Sequence, residues 1–147
     1  MRKILCIDGG GIKGVFPASF LASIEEAIGN TVSNYFDLIV GTSTGGIIAL
    51  GLGLGMTSQE ILSFYEELGP NIFKGSFSTK IIRRIFLSKY NQAPLRDALV
   101  NKFDKKRLGE SLKRLVIPSL NLETGEVHLY KTSHHPRFEK DYVLPPV

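Results

Sequence analysis

Hydrophobic and polar positions along this chain fall into blocks whose period changes at glycines. Residues 2–7 (RKILCI) form a short apolar, β-branched run that stops at Asp8 and three glycines, which predicts a buried strand. In Val15–Ile28 the apolar residues recur at Phe16, Phe20, Leu21, Ile24, Ala27 and Ile28. That is helical spacing, with Glu25 and Glu26 expected on the wet side. Residues 30–35 read as a turn-rich connection, and residues 36–40 (FDLIV) as a second strand stopped by Gly41. A helix follows over about residues 44–54. Strand, glycine turn, helix, repeated once, is the order of a parallel sheet covered by helices, so the expected class is α/β.

Further on, residues 58–68 predict a helix with Thr57 or Ser58 as N-cap, Glu60 in its first turn and Gly69-Pro70 as its end. Residues 73–78 read as a loop, 80–87 as a short basic amphipathic helix, and 94–102 as a helix opened by Pro94. Residues 114–122 predict a strand, although Pro118 weakens a central position, and Val127–Lys131 would be its hairpin partner across the turn at 123–125. Residues 142–147 are apolar and end without a cap or polar tail, so the chain is expected to be the front part of a longer protein, residues 1–147 belonging to one domain.

Composition narrows the class further. With 147 residues, 43% hydrophobic and 22% charged, the chain can bury a core and is neither collagen-like nor disordered. A single cysteine excludes an internal disulfide, fits a reducing, cytoplasmic setting, and makes Cys6 an expected small core residue. The opening residues lack the pattern of a secretory leader, and the longest apolar stretch (45–56) is too short and glycine-rich to span a bilayer, so a soluble domain is expected. The net charge of +4 conceals an asymmetry, since residues 1–72 carry −4 and residues 73–147 carry +8. A basic half suits anionic lipid headgroups and peripheral membrane contact, with Phe73, Phe77, Ile81, Ile82 and Phe86 beside Lys74, Lys80, Arg83 and Arg84. The triplet Lys105-Lys106-Arg107 lacks interleaved aromatics and any nucleic-acid motif, so no nucleic acid is expected.

Two glycine motifs carry candidate chemistry. Gly41-Thr42-Ser43-Thr44-Gly45 is a G-x-S-x-G between an apolar strand and a helix. A serine nucleophile needs a sharp turn that exposes its hydroxyl, with a helix N-terminus aimed at the developing charge. The flanking glycines permit such a turn. The second motif, Asp8-Gly9-Gly10-Gly11-Ile12-Lys13-Gly14, follows the first strand. Read as Gly9-x-Gly11-x-x-Gly14 it is a dinucleotide fingerprint, which requires an acid at the end of the second strand; Asp37 instead begins that strand. Read as a row of backbone N–H donors it is an oxyanion hole. Glycine turns after consecutive parallel strands lie side by side at the carboxyl edge of the sheet, and only a hydrolase uses both.

DGGGIKG followed by GTSTGG resembles the patatin-like phospholipases, a family of lipid acyl hydrolases. The resemblance runs from Leu5 through the serine helix and onward. It implies an α/β/α sandwich, a Ser–Asp dyad instead of a triad, a phospholipid or related acyl ester as substrate, and no metal or organic cofactor. Carried over, Ser43 is the nucleophile, and Gly9, Gly10 and Gly11 form the oxyanion loop, with the amides of Gly10 and Gly11 as the expected donors. Lys13 stands where the family has a basic residue that would help hold a phosphate headgroup. Residues 130–135 also resemble bacterial relatives linked to nucleotide-signalled antiviral defence. The departure concerns the base. The family's aspartate lies in a late D-G-[GA] motif, whereas the only Asp-Gly here is Asp8-Gly9. Asp37, Asp97, Asp104 and Asp141 are not followed by glycine. The base is therefore expected outside this chain, and the chain alone is expected to be nearly inactive. His128, His134 and His135 are expected in structural or surface roles. Two other classes stand beside the hydrolase: a Rossmann-like nucleotide-binding module using Gly9, Gly11 and Gly14, and a catalytically dead interaction protein.

Overall fold

In a computed structural model that describes residues 1–73, 93–104 and 106–133, the chain is an open four-stranded sheet with helices packed on one face. The strands are β1 (Ile4–Ile7), β2 (Leu38–Gly41), β3 (Arg114–Leu120) and β4 (Val127–Lys131), in that spatial order. The helices are α1 (Val15–Ile28), α2 (Thr44–Gly53), α3 (Ser58–Phe73) and α4 (Ala93–Phe103). β1, β2 and β3 are parallel, with Ile7 opposite Gly41 and Val40 opposite Val116. β4 returns antiparallel to β3, as the expected hairpin. Pro118 lies beyond the last β2–β3 pair, so its missing N–H removes nothing from the parallel ladder.

Period-two alternation decides what the sheet buries. Ile7, Ile39 and Leu115 face the helices and join Ile48, Ala49, Leu52 and Ile61 in the core. α2 is apolar on all sides and buried from Gly45 through Gly53 apart from the half-buried Ile47, as an all-apolar helix must be. The other face presents Ile4, Cys6, Leu38, Val40 and Val116, and no described helix covers it. The strand over residues 2–7 is thus shorter than expected and buried on one face only. Cys6, expected in the core, is exposed because it shares the outward register of Ile4.

Three further expectations change. Phe16, Phe20 and Ile28 lie on the predicted apolar stripe of α1, yet they are 76%, 59% and 41% exposed, because the buried face of the helix runs through Ala18 and Leu21, of which only Leu21 belongs to that stripe. Glu25 is not on the wet side. Its carboxylate accepts the backbone N–H of Val32 (2.8 Å) and of Ser58 (2.7 Å), tying the end of α1 to the turn that follows and to the start of α3. α3 also runs past Gly69-Pro70 to Phe73. Proline's fixed φ is itself helical, so it removes one hydrogen bond without obliging the helix to stop. The expected N-terminus of α3 is present. Thr57 and Glu60 form a reciprocal capping box, with Thr57 N–H donating to Glu60 Oε2 (2.8 Å) and Glu60 N–H donating to Thr57 Oγ1 (3.2 Å). Donation from the Thr57 N–H, and from the Thr57 hydroxyl (3.1 Å), holds the Glu60 carboxyl below its ordinary pKa. The basic helix at 80–87, Lys105, His134, His135, Asp141 and the apolar end at 142–147 lie outside the described residues. Among the described residues no helix is long and apolar enough to cross a membrane.

Candidate active site

The two glycine motifs meet at the carboxyl ends of β1 and β2. After Gly41 the chain turns sharply, and Ser43 takes φ 53° and ψ −123° as the N-cap of α2. Non-glycine residues rarely adopt a positive φ, and here the turn places an exposed serine at the mouth of a helix. The turn is closed by Gly45 N–H donating to the Thr42 carbonyl (2.9 Å) and Gly46 N–H donating to the Ser43 carbonyl (2.9 Å). Thr42 N–H donates to the Ile7 carbonyl (3.2 Å), which extends the β1–β2 ladder into the motif.

Glycine at 41 and 45 is dictated by contact. A Cβ on Gly41 would lie 2.2 Å from the Gly45 carbonyl oxygen, and one on Gly45 would lie 2.2 Å from the Ile7 carbonyl oxygen. Both obstacles are backbone, so neither can move cheaply. The loop after β1 presses on the same turn, since a Cβ on Gly9 would lie 2.4 Å from the Thr42 carbonyl oxygen and 2.5 Å from Ser43 Cβ. The structure therefore brings Gly9 against the nucleophile candidate itself.

The three loop amides differ in what they meet. Gly9 N–H donates to Thr42 Oγ1 (3.1 Å) and Gly10 N–H donates to Thr44 Oγ1 (3.2 Å). Gly11 stands at φ 61° and opens a 3-10 turn, Gly11–Gly14, and no acceptor among the described residues takes its N–H. Lys13 lies exposed in that turn with its stem over Gly10. Gly14 is buried against Thr44 and Tyr65. Tyr65, on α3 and 5% exposed, donates its hydroxyl to the Thr44 carbonyl (2.8 Å). Burial pushes that phenol well above its ordinary pKa, so it stays a neutral donor. Thr42, Thr44 and Tyr65 are candidate functional-site residues that the two glycine motifs do not single out. The available signal was a hydroxyl on both sides of the serine; nothing marks Tyr65 among the apolar positions of α3.

No side chain among the described residues is hydrogen-bonded to Ser43 Oγ. Asp37 sits at the amino end of β2, where its carboxylate accepts Lys3 N–H (2.7 Å), at the opposite end of the strands from Ser43. That position also denies the dinucleotide reading its acid. Asp97 lies on α4 and Asp104 just after it, both exposed. His128 lies on β4, edge-to-face with Tyr130 at 4.6 Å between ring centroids. A cavity of about 600 Å³, lined by Arg2, Ile4, Asp37, Leu38, Arg114 and Lys131, opens on the uncovered face at the amino ends of the strands and is not part of this site.

A family model described as patatin-like phospholipase matches residues 5–143. The chain is 35% identical over 140 residues to a protein of Pseudomonas aeruginosa named cGAMP-activated phospholipase, covering 95% of this chain and 42% of that one. It is 36% identical to a protein of the same name from Vibrio cholerae, covering 95% of this chain and 43% of the relative. It is 34% identical to Patatin-T5 of Solanum tuberosum, covering 91% and 37% respectively. The chain thus spans well under half the length of these curated relatives.

Proposed function

The chain belongs to the patatin-like phospholipase family, and on that premise we propose that it is the nucleophile-bearing front part of a lipid acyl hydrolase. The observation that carries the reading is Ser43, an exposed serine held at φ 53° on the N-terminus of α2 with the glycine loop pressed against it. Ser43 Oγ attacks the acyl carbonyl carbon of a phospholipid or related ester. Its proton passes to an aspartate that lies outside the 147 residues, the departing alcohol takes up that proton, and water then releases the fatty acid. Backbone N–H groups of the glycine loop and the N-terminal end of α2 stabilise the negative charge on the tetrahedral intermediate. Lys13, exposed at the rim, holds the phosphate headgroup. The nucleotide-module alternative is not favoured, because Asp37 is tied to Lys3 at the wrong end of the sheet.

The relatives named cGAMP-activated phospholipase support a second element of the proposal: the full-length protein rests in a low-activity state and a cyclic dinucleotide raises its activity. Approach to the bilayer is peripheral, in a cytoplasmic setting, through the basic half of the chain. Fatty-acid release from phospholipid vesicles by the full-length protein, with and without a cyclic dinucleotide, tests the reading. Release that disappears in Ser43→Ala is expected; release that persists in Ser43→Ala would exclude Ser43 as the nucleophile.

A further inference from the structure

The nucleophile turn carries a threonine on each side of Ser43, and each hydroxyl accepts an amide N–H from the facing glycine loop. Thr42 holds Gly9, and Thr44 holds Gly10. Thr44 is also held from behind, by the Tyr65 hydroxyl on its carbonyl at 2.8 Å. Gly14, at the far end of the same loop, is closed in by these two residues, since a Cβ there would lie 3.0 Å from Thr44 Cβ and 3.3 Å from the Tyr65 ring. One residue therefore touches the start of the glycine turn, its end, the nucleophile helix and α3.

We infer that Thr44, anchored by Tyr65, is a positioning residue that sets the glycine loop at the height of the Ser43 hydroxyl and commits the Gly10 amide to the scaffold. The inference rests on the acyl hydrolase reading and extends it to the assignment of donors. With Gly9 and Gly10 engaged by threonine hydroxyls, Gly11 is the loop amide that meets the oxyanion. Its φ of 61° turns the peptide at this point, and no described acceptor competes for it. A loop with that single obligation needs its position fixed from elsewhere, because an oxyanion donor acts only when it lies within about 3 Å of the developing charge. Displacement of a reacting group by about 1 Å costs on the order of 100-fold in rate. Thr44 supplies the fixing bond on the loop side, and buried Tyr65, which cannot follow solvent, prevents the first turn of α2 from drifting.

The test compares Thr44→Val, Thr44→Ser and Tyr65→Phe in the full-length protein, using a soluble fluorogenic acyl ester so that membrane binding does not enter. Valine keeps the shape that packs on Gly14 and removes the acceptor; serine restores the acceptor. The expected result for Thr44→Val is a kcat lowered roughly 10- to 100-fold with KM within about two-fold and an unchanged Tm. Thr44→Ser should recover most of the loss, and Tyr65→Phe should lower kcat in the same sense by a smaller factor. Should Thr44→Val fail to fold, the Tyr65→Phe and Thr44→Ser pair decides on the same criterion. A kcat equal to or above wild type in Thr44→Val would overturn the inference, since Gly10 would then be a donor that Thr44 withholds. Equal losses in the valine and serine variants, tracking a lowered Tm, would also overturn it. A wild-type protein with no esterase activity and no covalent labelling of Ser43 by a fluorophosphonate, with a cyclic dinucleotide present as well as without it, would instead remove the hydrolase reading beneath it.

Discussion

Ser43 is the residue on which the account turns, and its backbone gives a test independent of chemistry. A φ of 53° costs an ordinary L-residue on the order of 1 kcal/mol, which glycine does not incur. Ser43→Gly should therefore unfold at higher denaturant than Ser43→Ala, by about 1 kcal/mol, while both lose all activity. Urea titration of the two variants measures this; equal stabilities would mean the turn stores no strain. Gly45→Ala should go the other way, losing about 3 kcal/mol, because its Cβ would meet the Ile7 carbonyl oxygen at 2.2 Å. At this scale the sharp turn at Ser43 between a strand and a helix was legible in the sequence, because a glycine-flanked serine stands where an apolar run gives way to helical spacing. The roles of Thr44 and Tyr65 were not legible. They depend on the Thr44 hydroxyl meeting the Gly10 N–H 34 positions away and on the Tyr65 hydroxyl reaching the Thr44 carbonyl 21 positions away.

Among the elements, the helices and strands were read correctly where a hydrophobic period and a stop signal agree. α1 matches its expected bounds, and the β3–β4 hairpin forms where it was placed. The errors come from tertiary context. Glu25 was assigned to solvent because it is charged and lies on a helix, yet two backbone N–H groups from other segments claim its carboxylate. Glu25→Ala leaves both donors without that acceptor and should cost about 2 kcal/mol, read as a shift of the urea midpoint without change of slope. The α3 capping box gives a pH-dependent counterpart. Glu60 has a folded-state pKa below its ordinary 4.5, so its contribution is full above that value and is lost as pH falls through the folded pKa. The residue is exposed, which keeps the contribution small. The stability gap between wild type and Glu60→Gln should be measurable at neutral pH and close as pH falls through the lowered folded-state pKa of Glu60.

At the scale of the molecule, the α/β class was legible from the alternation of strands, glycine turns and helices. The sandwich was only half so, since the described helices cover one face of the sheet. What lies against Ile4, Leu38, Val40 and Val116 has no signal in the local pattern, because a one-sided and a two-sided strand of four residues read alike. The sheet face that no described helix covers and the exposed hairpin residues Leu120, Val127 and Leu129 lead us to predict that the 147-residue chain, expressed by itself, self-associates. Its elution volume in size-exclusion chromatography should fall as concentration rises; a concentration-independent monomer would show that the face is satisfied within the chain. Among the described residues the Ser43 turn and the glycine loop likewise meet with no side chain hydrogen-bonded to Ser43 Oγ.

Intact-mass measurement after exposure to a fluorophosphonate probes that nucleophile most directly, comparing the full-length protein, its Ser43→Ala variant and the 147-residue chain. The account predicts one covalent adduct on the full-length protein, none on Ser43→Ala, and labelling of the 147-residue chain slower by several orders of magnitude, as expected for a serine without its base. An adduct that survives Ser43→Ala, or a 147-residue chain that labels as fast as the full-length protein, would contradict it.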